Sequence, residues 1–274
     1  MAKNLVSNYY KELTVNGHLK FDVEQQLVLS KFDKLVDQIL LDKDSSWLKN
    51  FLKLKNPKNK GVYIYGSVGR GKSILMDIFI KIISEKIPEK KCKRLHFHNF
   101  MLTTHESLKD IRLSGSKDPL SDVAKKFRKN TDIFCFDEFE ILDIADAMIL
   151  GRFFKLLIDN GTIIITTGNS KPKDLYYNGL QRERFMPFVD YIYKNMDVIK
   201  IGGKHDYRFD SKEDLYGKRY FKPLGLISTE RLNSLYFKLT NGKIYVKKNL
   251  FVAGRKINFN KTNNKVVLTD FNDL

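Results

Sequence analysis

The stretch GVYIYGSVGRGKSILMDIF, Gly61–Phe79, runs an apolar strand into a glycine-rich turn and on into a helix. Within it, GSVGRGKS sets Gly66, Gly71, Lys72 and Ser73 at the G-x-x-x-x-G-K-[ST] spacing. Glycines let the backbone turn tightly and aim successive N–H groups at phosphate oxygens. The helix that follows points its positive end at the same anion. The whole loop, Gly66, Ser67, Val68, Gly69, Arg70, Gly71, Lys72 and Ser73, is therefore expected to cradle phosphate. Lys72 would reach the β- and γ-phosphates of a nucleotide, and Ser73 would offer its hydroxyl to Mg²⁺.

Outward from this stretch, short apolar runs recur at 61–65, 93–98, 132–136, 161–167 and 197–202, with helical segments between them. Each run is read as apolar on both faces, as strands of a covered parallel sheet are. The pattern predicts an open α/β fold, a parallel five-stranded sheet with helices on both faces. The helix at 72–87 is apolar almost all round and is expected to be buried. Asp143 is expected to cap the helix carrying IADAMILGRFFKLLIDN, with Gly161 closing it.

Before this core, residues 1–60 read as a helical segment. Leu27, Val28, Leu29, Phe32, Leu35, Val36, Ile39 and Leu40 recur at roughly helical spacing and mark a buried face. KLKNPKNKG, 53–61, breaks the pattern and is read as a linker. The core then runs over 61–203. From 204 to 274 the chain alternates strand-like runs with turn residues, which predicts a small β-rich region.

Two further segments supply acid and polar groups. DIFCFDEFE, 132–140, puts Asp137 and Glu138 at the tip of an apolar strand, sixty-five residues beyond Lys72. Asp137 would hold the Mg²⁺ shell opposite Ser73, and Glu138 would orient and deprotonate an attacking water. GTIIITTGNSKPKD, 161–174, ends another apolar strand in Asn169, placed to sense the γ-phosphate and the lytic water. Downstream, NGLQRERF presents Arg182 and Arg184; an arginine given to a neighbouring subunit's γ-phosphate would require a ring. Spacing alone does not choose between them.

Other features narrow the classes. The Asp137-Glu138 pair stands in place of the D-x-x-G that a GTPase switch needs, and NSKPKD has the wrong spacing for guanine recognition, so ATP is the expected nucleotide. HFHNF puts His96 and His98 on one face of a strand, read as structural rather than metal-binding. Cys92 and Cys135 are far apart in the chain and form no metal or redox pattern. No apolar run has the ~18 residues of a membrane span, and MAKNLVSNYYKELTVNG lacks a signal or transit pattern. A reducing cytoplasm is the expected compartment.

The net charge of +17 invites a nucleic-acid reading. Lysine, however, outnumbers arginine more than threefold and is scattered rather than striped with aromatics. A nucleic-acid groove is not expected.

Taken with the loop, HFHNFM (96–101), DPLSDVAK (118–125), CFDEFEILDIADAMILG (135–151), LYYNGLQRERFMPF (175–188) and DYR (206–208) resemble a known family. It is that of the ZapE cell-division ATPases of bacteria and their mitochondrial AFG-like relatives, in the AAA+ class. The resemblance implies a AAA+ core, ATP hydrolysis with Mg²⁺ and ring-type homo-oligomerisation. For the bacterial branch it also implies association with the division ring protein FtsZ. Lys72 and Ser73 fall on the family's phosphate loop, Asp137 and Glu138 on its metal and base positions, Asn169 on its sensor, and Arg182 on its arginine finger. Gly168 stands where the family has serine. VVLTDFNDL resembles the family's strand before a long C-terminal helical section, expected to form a lid with a further nucleotide-sensing arginine. The alternatives are a lid-less nucleotide-binding interaction protein with little or no turnover, and a AAA+ loader acting on nucleic acid.

Overall fold

The computed structural model describes residues 4–44, 61–203 and, within 221–270, all but 222, 224, 241, 243–245, 253 and 264–265. The linker expected at 53–60 and the DYR at 206–208 lie outside the described residues. The chain divides into two compact units, Met1–Phe209 and Asp210–Leu274.

The first unit opens with helices α1 (Leu5–Val15) and α2 (Gln26–Asp44). Strands and helices then alternate: β1 (Gly61–Tyr65), α3 (Lys72–Lys86), β2 (Cys92–His96), α4 (Phe97–Leu113), α5 (Pro119–Lys129), β3 (Ile133–Asp137), α6 (Ile144–Asp159), β4 (Ile163–Gly168), α7 (Arg182–Asn195) and β5 (Asp197–Lys200). All five strands are parallel, in the order β2-β3-β4-β1-β5. This is the parallel five-stranded α/β core that the strand–helix alternation leads one to expect.

Strand alternation gives the sheet two buried faces. Val62, Ile64, Ile133, Cys135, Ile165 and Ile199 pack with α1, α2 and α3. Tyr63, Phe134, Phe136 and Ile164 pack on the other side with α4 to α7, where Phe97, Phe100, Phe153, Phe154 and Phe188 form a nearly continuous aromatic layer. Asp143 caps α6 as expected, its carboxylate accepting from the Ala145 N–H at 2.6 Å. At the other end Gly161, at φ 94°, lets the N–H groups of Gly161 and Thr162 return to the Ile158 and Leu157 carbonyls.

Several expectations are corrected. β2 is not apolar on both faces: it is the sheet edge, and Lys93, Arg94 and His96 are exposed. The strand also ends at His96, and His98 belongs to α4, so the two histidines do not share a strand face. His105 pairs with Asp146 at 2.6 Å, and among the described residues no three His, Cys, Asp or Glu are grouped to hold a metal. α3 is not buried all round, since Ser73, Ile74, Asp77 and Lys81 are exposed. Leu27 is exposed because it sits at the start of α2, off the face that packs on α3. Cys92 and Cys135, distant in sequence, stand with their sulfurs 3.8 Å apart on neighbouring strands.

The second unit begins, among its described residues, with a helix the sequence reading missed, α8 (Leu226–Leu239). An antiparallel sheet follows, β6 (Val246–Val252), β7 (Arg255–Asn263) and β8 (Val266–Leu268), in that order. Among the described residues no helix is long and apolar enough to cross a membrane.

α1 has no side-chain cap of its own, because Asn4 is left-handed and makes no capping bond. Its first amides are taken instead by the buried Asp33 of α2, which accepts from Val6 N–H at 2.8 Å and Ser7 N–H at 3.3 Å, and from the Ser7 hydroxyl. A carboxylate at a helix N-terminus also meets the positive end of the dipole. Asp33→Ala is expected to lower the unfolding free energy by about 2 kcal/mol, as lost hydrogen bonds to a charged group do. Asp33→Asn, which keeps an acceptor, should lose less. Urea unfolding midpoints measure both, and an unshifted midpoint for Asp33→Ala would show that the amides of α1 do not depend on it.

Candidate functional site

β1 ends at Tyr65, and the chain leaves the sheet through Gly66. Both neighbours hem it in there: Gly66 N–H donates to the Gly168 carbonyl at 3.2 Å, and Ile201 N–H donates to the Tyr65 carbonyl at 2.7 Å. A Cβ on Gly66 would lie 2.2 Å from the Ile201 carbonyl oxygen, at φ 152°. Gly71 then opens α3 in the left-handed region, at φ 74°. Between them the loop wraps the empty space above the strand tips. The buried Gln25, just before α2, supports it from below, its amide donating to the Arg70 carbonyl at 3.1 Å.

Lys72 lies folded back under this loop. Its ammonium donates to the carbonyls of Gly66 at 2.6 Å and Ser67 at 2.8 Å, and to Asn169 Oδ1 at 3.3 Å. Burial lowers its pKa, and the neighbouring Arg70 charge lowers it further. Phosphate oxygens would oppose both effects and give the ammonium better acceptors than loop carbonyls.

β4 stands between β1 and β3, so the tip of β4 separates the loop from the acidic pair. Asp137 is almost fully buried. Its Oδ1 accepts from the Thr167 hydroxyl at 2.9 Å, and the Ser73 hydroxyl lies 3.4 Å away. Ser73 and Asp137 thus present hard oxygen donors to one spot beside the loop. This is the donor set that suits Mg²⁺ held by one or two protein oxygens, phosphates and water.

Glu138 differs from its neighbour in every respect. Its side chain is 81% exposed, its backbone is left-handed at φ 54°, and its Oε2 lies 3.7 Å from His96 Nδ1. A non-glycine residue in that region stores strain that the surroundings must hold in place. Here they do, since the next residue, Phe139, is buried and its N–H donates to the Thr167 carbonyl at 2.8 Å. The turn throws the carboxylate out of the sheet toward solvent.

Val68 to Ile74, Glu138 and Thr167 to Asn169 line one cleft of about 500 Å³. A second cleft of about 630 Å³, running beside residues 174–179, shares Glu138 and Asn169 with it. Gly168 fits where a larger residue would crowd, since a Cβ there would lie 3.1 Å from the Phe139 carbonyl and 3.3 Å from the Tyr63 hydroxyl.

The structure therefore brings the loop, Asp137, Glu138 and Asn169 together. Arg182 is not among the residues lining the loop cleft. It begins α7, donates to the Lys173 carbonyl at 2.5 Å and lies 5.7 Å from the Tyr177 ring centroid; Arg184 is exposed. Sequence reading missed Thr167, Gln25 and Arg94. Arg94 lies in a run read as a buried strand, where a charged side chain gave no signal of its partner.

Known proteins bear on this geometry. The Cell division protein ZapE of Escherichia coli (strain K12) is 35% identical over 249 residues, covering 86% of this chain and 64% of that protein. Lactation elevated protein 1 homolog B of Danio rerio is 31% identical over 226 residues, 78% of this chain and 44% of that one. The chain thus spans less than two thirds of the length of either relative. Among solved structures, DnaA from Aquifex aeolicus bound to AMPPCP aligns over 81% of this chain and 63% of its own, with 17% identity and a TM-score of 0.45. The model of the AFG1-like ATPases matches residues 4–274, and the chain belongs to that family.

Proposed function

We propose that the chain binds ATP with Mg²⁺ and hydrolyses it in the cleft above β1, β4 and β3. What supports this most is convergence. Three separate segments put a phosphate loop, a buried carboxylate beside Ser73 with an exposed one next to it, and a strand-tip asparagine around one opening. In this reading the loop amides and Lys72 hold the phosphates. Ser73 and Asp137 hold the metal ion, which neutralises charge on the phosphate oxygens when bound. Glu138 takes the proton of the attacking water, and Asn169 orients that water against the γ-phosphate.

Arg182 would act on a neighbouring copy in a ring. Its place outside the loop cleft of its own chain fits donation outward. The substrate is proposed to be protein, and likeness to a cell division protein makes a division-ring component such as FtsZ the first candidate. The cytoplasm is the compartment proposed for it.

Steady-state ATP hydrolysis across a range of protein concentrations tests the proposal, and specific activity should rise with concentration. Binding of nucleotide without turnover at any concentration would favour the lid-less interaction protein instead. Lys72→Ala should abolish ATP binding measured by calorimetry, and an unchanged affinity would remove the loop from the site. Glu138→Gln should keep that affinity and lose turnover by at least ~10²-fold, the share a general base supplies. Arg182→Ala should lower turnover while leaving nucleotide affinity alone; if Arg184→Ala does so instead, the finger is Arg184.

A further inference from the structure

One cation is built into the metal corner that the proposed chemistry leaves unused. Arg94 lies on the edge strand β2, opposite Cys135 in register, as His96 is opposite Asp137. Residues two apart share a strand face, so Arg94 and Asp137 project to the same side of the sheet, toward α3. Arg94 Nε and Nη2 both lie 2.5 Å from Asp137 Oδ2, while Nη1 pairs with Asp77. Asp77 sits one helical turn beyond Ser73 on α3.

The two oxygens of Asp137 are thereby divided. Oδ2 is taken by the guanidinium, and Oδ1 is left to Thr167 and Ser73. A carboxylate is otherwise free to turn about its terminal bond, a broad and two-fold torsion. An arginine fork resists that turn, and Asp77 holds the far side of the fork. This is no surface ion pair, for the Asp137 side chain is only 5% exposed.

We propose that Arg94 is a positioning residue for the metal ion: it pins Oδ2 of Asp137 so that Oδ1 is the oxygen presented beside Ser73, with Asp77 as its anchor. The inference rests on the proposed ATP site. It assigns the edge strand β2 a part in metal binding. Lysine cannot substitute fully, because a point charge lacks the planar fork.

The test is calorimetric binding of a non-hydrolysable ATP analogue, in EDTA and across a Mg²⁺ titration. Affinity in EDTA should be the same for the wild type and Arg94→Met. The Mg²⁺ concentration giving half of the metal-dependent gain should rise roughly ten-fold in Arg94→Met, as loss of an outer-shell partner does. Arg94→Lys, which keeps the charge and guards against a folding defect, should fall between. Asp77→Asn, on the exposed side, should shift the midpoint the same way but less. An unmoved midpoint in Arg94→Met would overturn the inference while leaving the ATP site intact. A lowered midpoint would also overturn it, by making the guanidinium a competitor of the metal. If the wild type binds the analogue in neither condition, the ATP site falls and this inference falls with it.

Discussion

The site depends on how the chain leaves the sheet after Tyr65, hemmed between the backbones that follow β4 and β5. Gly66 must leave the sheet between the Gly168 carbonyl, to which its N–H donates, and the Ile201 carbonyl, which a side chain would strike. The chain can go only upward, over the strand tips, and it re-enters regular structure at Gly71 with the N-terminus of α3 facing the opening. The anion-binding role proposed for the loop rests on that confinement.

Insertion of β4 between β1 and β3 does the rest. It sets a strand's width, about 4.8 Å, between neighbouring tips, so that groups on β4 bridge the loop and the acids. Thr167 fixes Asp137 from this strand, and Asn169 reaches Lys72. The adjacent Asp137 and Glu138 then diverge because the backbone flips to positive φ at the second of them. One carboxylate is buried and held by three side chains; the other stands in solvent beside His96. Beneath both lies the aromatic layer of Phe97, Phe136, Phe139 and Phe154, whose packing gives the turn a rigid seat.

Much of this was legible in the residues. Glycine spacing located the loop because only glycine tolerates those backbone angles and that approach. Runs of Ile and Phe located the covered strands, and Asp143 and Gly161 marked the ends of α6 by capping chemistry that is local in the chain. The failures share a cause. Whether β2 lies at the centre or the edge depends on strand order, which no window of sequence contains; Lys93 and Arg94 were the only hint. The helix Leu226–Leu239 was missed because its apolar residues, spread among polar ones, make a weak periodic signal beside the β-rich run that follows.

By itself, then, the sequence determined the loop, the strand–helix alternation and the residue types at the strand ends, since these follow from backbone geometry and side-chain chemistry within a few residues. The tertiary structure alone decided which of those ends meet. Thr167 beside Asp137, Asn169 beside Lys72 and Arg94 across the outer oxygen of Asp137 are contacts between segments thirty to nearly a hundred residues apart. They exist because parallel strands bring every C-terminal tip to one edge of the sheet, and strand order chooses the neighbours.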